Sequence, residues 1–345
     1  MATRLLAATN EAIHEAAALI RAGGLVAFPT ETVYGLGANA LDATAVAGIF
    51  RAKGRPTADP LIVHLARGAD LPNVVATMPP VVELLAATCW PGPLTLVLPR
   101  GPAIPDLVTA GRDTVAVRVP AHPVAHALIV AAGVPIAAPS ANRFGHTSPT
   151  CAVHVLVDLA GRIDLVLDGG DAPIGLESTV LDLTGPVPTL LRPGGVSLER
   201  LRELLGTVVV GARVAAEGVG QRSPGLRERH YAPVTPFRLC IGPVEAARAW
   251  LHQQVVAVQA AGGRAGLLVP AEDAAHFAAL GADIECLGPA ADLEQIAHHL
   301  YAALRSLDTR TPTLILARDL GTAGLGLALR DRMSRAASGD VVVLA

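Results

Sequence analysis

Three cations fall within six residues at Arg51-Ala-Lys53-Gly-Arg55-Pro56, and an acid and a histidine follow in Asp59-Pro-Leu-Ile-Val-His64. Clustered cations suit the neutralisation of a polyanion such as a triphosphate, but at the end of a helix they equally suit the helix dipole, with Gly54 and Pro56 stopping the helix. His64, closing an apolar run, fits either a site or a satisfied core histidine. Thr114-Val-Ala-Val-Arg118-Val-Pro120 is more informative. Period-2 alternation sends Val115, Val117 and Val119 to one face and Thr114, Ala116 and Arg118 to the other, so a threonine and an arginine stand about 13 Å apart on a shared surface that a long ligand can span. An arginine there suits a two-pronged contact with a carboxylate. Hydroxyl and amide side chains recur at strand ends, in Ala138-Pro-Ser140-Ala-Asn142, at Ser148, and in Glu177-Ser178-Thr-Val, while Leu190-Leu-Arg192-Pro-Gly-Gly supplies another cation. Pro29-Thr-Glu-Thr32-Val-Tyr-Gly-Leu-Gly37 adds hydroxyls and glycines just after a buried strand, where a turn bonding its own backbone is the alternative reading. These positions offer cations and hydroxyls without a nucleophile triad, a metal-ligand cluster or an acid pair. Such an inventory fits phosphate chemistry done by positioning and charge. Neither a G-x-x-x-x-G-K-[ST] loop nor a G-x-G-x-x-G turn after the first strand is present.

The elements that must hold these residues can be read from their ends and periods. Asn10 is the expected cap of a first helix that stops before Gly23. Apolar runs at 25–28, 61–64, 94–98, 114–119, 134–138, 165–167, 179–183 and 189–191 predict a many-stranded sheet, with helices over 42–52 and 123–132. The Gly-, Pro- and charge-rich tract from 211 to 236 reads as a linker. Beyond it, strands at 265–269, 313–317 and 341–344 alternate with helices at 292–307 and 328–336, as in a small Rossmann-like α/β unit. The expected division is therefore residues 1–210, a linker or lid over 211–236, and 237–345. Gly321-Thr-Ala-Gly-Leu-Gly326 reads as a plain loop as readily as a phosphate cradle.

A formal net charge of −3 and an aromatic content of 3% argue against a protein that holds RNA by phosphate neutralisation or base stacking, so strong direct nucleic-acid binding is not expected. The four cysteines have no C-x-x-C spacing, the N-terminus lacks an export signal, and the apolar runs are too short to span a bilayer, which together lead us to expect a cytoplasmic protein.

The segments P-T-E-T-V-Y-G-L-G, K-G-R-P with P-L-I-V-H, P-S-A-N, E-S-T-V and L-R-P-G-G, in this order over residues 10–205, resemble the YrdC family, and the tract S-P-G-x-x-x-R-H-Y-A-P with its α/β tail resembles the family's longer, two-domain members. The resemblance implies a twisted mixed α/β sheet around a concave cavity, with residues 223–233 as a lid. It also implies synthesis of L-threonylcarbamoyl-AMP from L-threonine, bicarbonate and ATP, releasing pyrophosphate, as the first step in modifying adenosine 37 of tRNA. Lys53, Arg55, Ser140 and Asn142 match the signature pair K-x-R and S-x-N. Thr32, His64, Arg118, Ala138 (through its backbone) and Ser178 correspond to threonine-binding positions. Arg55, Asp59, Thr114, Ser140, Ser148, Arg192 and Tyr231 correspond to the ATP side. Where this chain has Asp59 the family often has Asn or His, so a donor contact there is in doubt. Mg2+ is expected to be held through the ATP phosphates, with no dedicated protein metal site, and the product to pass to threonylcarbamoyl-transferase proteins acting on tRNA. The rival readings are a double-stranded-RNA clamp, a relative acting on carbamoyl phosphate, and a nucleotide sensor; the zinc-finger cysteines of the carbamoyl-phosphate relatives are missing.

Overall fold

Thr9, not Asn10, caps the first helix, α1 (Asn10–Arg21): its Oγ1 accepts the amide N–H of Ala12 at 3.3 Å, and Asn10 becomes the first helical residue. Ile13, Ala16, Ala17 and Ile20 recur at the spacing of one helical face, and that face is buried. The computed structural model describes residues 2–211 and 231–345. The described residues divide into two units, the first reaching to Phe144 and resuming from Ser148 to Gly211, the second comprising Gly145–Thr147 and Tyr231–Ala345. Most of the segment expected to form the linker and lid, 212–230, lies outside the described residues.

The first unit carries strands β1 (Arg4–Ala7), β2 (Val26–Phe28), β3 (Gly35–Asn39), β4 (Ile62–His64), β5 (Leu94–Pro99), β6 (Thr114–Arg118), β7 (Ile136–Ala137), β8 (Leu165–Asp168), β9 (Thr179–Asp182), β10 (Thr189–Arg192) and β11 (Val209–Val210). They make one mixed sheet in the order β1-β8-β2-β3-β7-β4-β6-β5-β9-β10-β11. Its helices after α1 are α2 (Ala43–Lys53), α3 (Val81–Cys89), α4 (Asp106–Thr109), α5 (Pro123–Ala132), α6 (Ala152–Leu159) and α7 (Leu198–Leu205). Helix α5 offers Ala125, Leu128, Ile129 and Ala132 at the same spacing as the α1 face, and both pack with Val26, Phe28, Leu165 and Leu167 into one core cluster.

β1, β3 and β11 form where sequence reading expected no strand. β3 grows out of the Thr- and Gly-rich tract and pairs with β2 as an antiparallel neighbour, with Val26 opposite Gly37 and Phe28 opposite Gly35. Glycine at 37 follows from the packing, because a Cβ there would lie 2.7 Å from the Phe28 ring and 2.8 Å from Ile136.

In the second unit, β12 (Phe237–Ile241), β13 (Ala265–Val269), β14 (Asp283–Cys286), β15 (Leu314–Arg318) and β16 (Val341–Val343) form an all-parallel sheet in the order β14-β13-β15-β12-β16. Helices α8 (Val244–Ala260), α9 (Ala271–Phe277), α10 (Leu293–Thr309) and α11 (Gly326–Ala336) alternate with the strands, the expected α/β pattern. No helix among the described residues is long and apolar enough to cross a membrane.

Candidate active site

Strand directions decide which site residues meet. β4 and β6 run parallel with His64 in register with Arg118, so both side chains stand at the C-terminal ends of their strands. β5 is antiparallel to β6, β9 is parallel to β5, and β10 is antiparallel to β9, with Leu96 opposite Val117, Leu94 opposite Thr179, and Arg192 opposite Val180. The start of β5, the start of β9 and the end of β10 therefore lie at that same end of the sheet. Thr95, Ser178 and Arg192 are brought there from separate parts of the chain.

At this end the contacts form two groups. Arg118 pairs with Glu31 (Nη2 to Oε1, 2.6 Å), donates from Nη1 to Thr32 Oγ1 at 3.0 Å and from Nε to the Gly92 carbonyl at 3.1 Å. Beside it, Ser178 Oγ lies 2.7 Å from Thr95 Oγ1 and accepts from Arg192 Nη2 at 3.1 Å, while the Ser178 carbonyl accepts from Arg192 Nε and Nη2. Ser178 and Arg192, expected on the threonine and ATP sides respectively, are thus direct partners.

The opposite ends of the same strands hold the cationic signature. Asp42 caps α2 and Gly54 ends it in the left-handed conformation, which suits a residue without Cβ. The last helical side chain, Lys53, is buried and donates to the carbonyls of Ser140 and Asn142 just beyond β7. Burial, reinforced by the nearby charge of Arg55, pushes the Lys53 ammonium well below the ordinary lysine range. Arg55 donates to the Asp59 and Pro60 carbonyls and pairs with the Asp59 carboxylate at 3.0 Å, so the acid at 59 is the counter-ion of Arg55. Ala138 N–H donates to Ile62 O at 2.9 Å and Thr114 begins β6 opposite Pro99 at this end, whereas Ser148 donates at 2.5 Å to Oε1 of Glu177, the neighbour of Ser178 ahead of β9.

Between the two polar ends lies an apolar floor of Ile62, Val97, Ala116 and Val180, with Leu191 packed against it. The alternation read in β6 explains it. Residues in register or two apart share a face, so Thr114, Ala116 and Arg118 run across that floor with Ile62 and His64 beside them. Among the described residues the structure thus sets the buried Arg118 and Arg192, with Glu31 and neutral hydroxyls, at one end, Lys53 and Arg55 with hydroxyls at the other, and no nucleophile between.

His64 is held by its ring Nδ1, 3.2 Å from the Ile62 carbonyl, and packs edge-on against Phe28 at 6.4 Å. Burial, helped by the positive charge of Arg118, lowers its pKa to about 3, so the ring is neutral at neutral pH. A histidine whose folded pKa lies below its unfolded value favours unfolding wherever only the unfolded chain binds the proton. Stability should therefore fall as pH drops from about 6.5 toward about 3. Between pH 7 and pH 5 the wild-type protein should lose about 2 kcal/mol more than His64→Gln, at about 1.4 kcal/mol per pH unit below the unfolded pKa. Denaturant unfolding of both proteins at the two pH values measures it, and equal losses would contradict a neutral buried His64.

Glu31 and Thr95 were not singled out from sequence, and each directly contacts an expected site residue. Glu31 stands between two threonines in a tract read for its hydroxyls. Thr95 sits inside an apolar strand whose parallel pairing with β9 was not readable. Tyr231 belongs to the second unit, where it stacks on Tyr301 at 5.9 Å, lies under Arg332 at 5.1 Å, and takes a φ of 61°.

A mixed α/β sheet with cations and hydroxyls at both ends of its central strands has the charge and spacing that suit a long, anionic ligand. Residues 18–194 match the family described as Sua5_yciO_yrdC, telomere recombination, and residues 196–338 match the threonylcarbamoyl-AMP synthase C-terminal domain. The chain belongs to this Sua5, YciO and YrdC family, in the form that carries the Sua5 C-terminal domain. It is 43% identical to the threonylcarbamoyl-AMP synthase of Pyrococcus abyssi over 96% of this chain and 95% of that one. The Bacillus subtilis threonylcarbamoyl-AMP synthase is 44% identical, over 98% and 96%. The crystal structure of P. abyssi Sua5 complexed with L-threonine superposes with a TM-score of 0.92 at 41% identity, covering 100% of this chain and 99% of that one.

Proposed function

We propose that this chain condenses L-threonine, bicarbonate and ATP into L-threonylcarbamoyl-AMP and pyrophosphate, the first step toward threonylcarbamoyladenosine in tRNA. The observation that carries the reading is the buried Arg118, fixed by Gly92 and Thr32 at one end of an apolar floor whose other end carries Lys53, Arg55 and Ser140. An amino acid anchored by its carboxylate on Arg118 would lie at one end of the floor, facing a nucleotide whose phosphates lie near the cations at the other. The named relatives at more than 40% identity over nearly the whole chain support threonylcarbamoyl-AMP as the product, and the P. abyssi Sua5 structure with L-threonine supports L-threonine as a substrate.

In the proposed reaction the threonine amine, once deprotonated, takes up the bicarbonate carbon with loss of water and becomes a carbamate. A carbamate oxygen then attacks the ATP α-phosphorus, and the bond from that phosphorus to the bridging oxygen breaks to release pyrophosphate. The protein supplies positioning and charge, and no covalent enzyme intermediate is needed. Mg2+ is proposed to enter with ATP on its phosphates. Among the described residues no group of three or more His, Cys, Asp or Glu converges as a metal cage, and Asp59 is engaged by Arg55. Ser140, Ser148, Thr114 and Arg192 are proposed for the nucleotide, and Thr32, His64, the Ala138 backbone and Ser178 for threonine. The product would pass to transferase proteins acting on tRNA, in the cytoplasm.

Pyrophosphate release by the purified protein with ATP and Mg2+, withholding L-threonine and bicarbonate in turn, tests this reading. Release that needs both supports it, and release indifferent to either compound would count against it.

A further inference from the structure

The pair formed by Arg118 and Glu31 is buried, with the two side chains 4% and 8% exposed, yet its hydrogen bonding is incomplete. The charges meet at 2.6 Å and the N–H groups of Ala121 and of Glu31 itself face the carboxylate, but none of these contacts is a well-aligned hydrogen bond, so both Glu31 carboxylate oxygens and Arg118 Nη2 keep bonding capacity. A carboxylate whose only task was to neutralise Arg118 would be expected to accept two parallel N–H groups from the guanidinium fork. Buried charges left short of hydrogen bonds are costly, and they persist where a ligand completes them. The missing partners are specific in kind. Nη2 needs an acceptor and Glu31 needs donors, which describes an amino-acid zwitterion, with its carboxylate on the arginine and its ammonium on the glutamate.

The glutamate is also held in place. Thr30 Oγ1 accepts the N–H groups of Thr32 and Val33 and donates to the Val33 carbonyl, and the Glu31 carbonyl accepts from Ile174 N–H at 2.9 Å. A tight hydroxyl-closed turn presents the carboxylate without an ordering cost on binding. His64, neutral beside Arg118, adds no charge that could replace it.

We propose that Glu31 recognises the α-ammonium group of the amino-acid substrate beside the carboxylate-binding Arg118, and so makes the site selective for amino acids over the corresponding hydroxy acids. This inference rests on the reading of L-threonine as substrate. Burial tends to raise the Glu31 carboxyl, but the charge and hydrogen bonding of Arg118, together with the N–H groups of Ala121 and Glu31 itself, outweigh it and leave the group below the ordinary carboxylate range, so it is ionised when an ammonium arrives.

The test compares L-threonine with 2,3-dihydroxybutyrate of matching configuration, in which a hydroxyl replaces the ammonium, by calorimetry on wild type and Glu31→Gln in the presence of ATP and Mg2+. Wild type should prefer threonine by at least about thirtyfold. Glu31→Gln should weaken threonine by at least about tenfold while the hydroxy acid changes by less than about threefold, so the preference collapses. Equal loss of both ligands, with the ratio unchanged, would show that Glu31 acts only through Arg118 and would overturn the proposal. Should the variant fail to fold, the wild-type ratio decides alone, and a ratio near one overturns the proposal. A wild-type protein that binds no threonine overturns the substrate reading itself, an outcome distinct from the others.

Discussion

Arg118→Ala should raise the L-threonine concentration needed for half-maximal turnover by about two to three orders of magnitude and change ATP binding by less than about threefold. The expected size follows from burial. Arg118 is enclosed with Glu31, and removing one member of a buried pair typically costs about 3–5 kcal/mol because the other charge is left uncompensated. Part of that cost will appear as lost stability, so Arg118→Lys is the informative companion. It keeps a positive charge near Glu31 but lacks the guanidinium fork that reaches Thr32 and Gly92 as well. Steady-state kinetics with threonine and ATP varied separately measure both. If a folded Arg118→Ala protein lost threonine and ATP to the same degree, the assignment of the carboxylate to this residue would fail.

The second large effect is expected at Lys53, where alanine should lower turnover by about a hundredfold, the size of a typical electrostatic contact to a reacting phosphate. The structure adds a second task for this lysine. Its ammonium donates to the Ser140 and Asn142 carbonyls and so ties the end of α2 to the loop after β7. Burial, with the nearby charge of Arg55, lowers its pKa, so the surroundings disfavour the charge. Approach of a polyphosphate would relieve that cost. Lys53→Ala therefore removes both a latch and a charge. Single-turnover pyrophosphate release, beside denaturant unfolding, separates the two: a large rate loss with modest destabilisation supports the phosphate role, and wild-type turnover would leave Lys53 as a structural latch.

Local signals made several site elements readable in advance. The valine alternation across 114–119 placed Thr114, Ala116 and Arg118 on one face, and β6 shows that face running over the apolar floor. Gly54 was legible as a helix end because few other residues take a left-handed cap without strain. The sheet order was not legible, since β8 lies between β1 and β2, and β7 lies between β3 and β4; pairings over such distances follow from packing of the whole sheet. Glu31 was hidden for the same reason, because only the fold brings it to Arg118. β12 and α8 also went unread. Arg238 interrupts the apolar strand, and the buried Ala247, Leu251 and Val255 of α8 stand four apart, a stripe too narrow to announce a helix.

The proposed reaction joins threonine to a one-carbon unit before activating it on AMP. Supplying 13C-labelled bicarbonate with ATP, Mg2+ and L-threonine, and weighing the nucleotide product, tests it most directly. The expected product is L-threonylcarbamoyl-AMP carrying the label, with pyrophosphate released in equal amount. An unlabelled threonyl-AMP, or AMP or ADP formed without threonine, would contradict it.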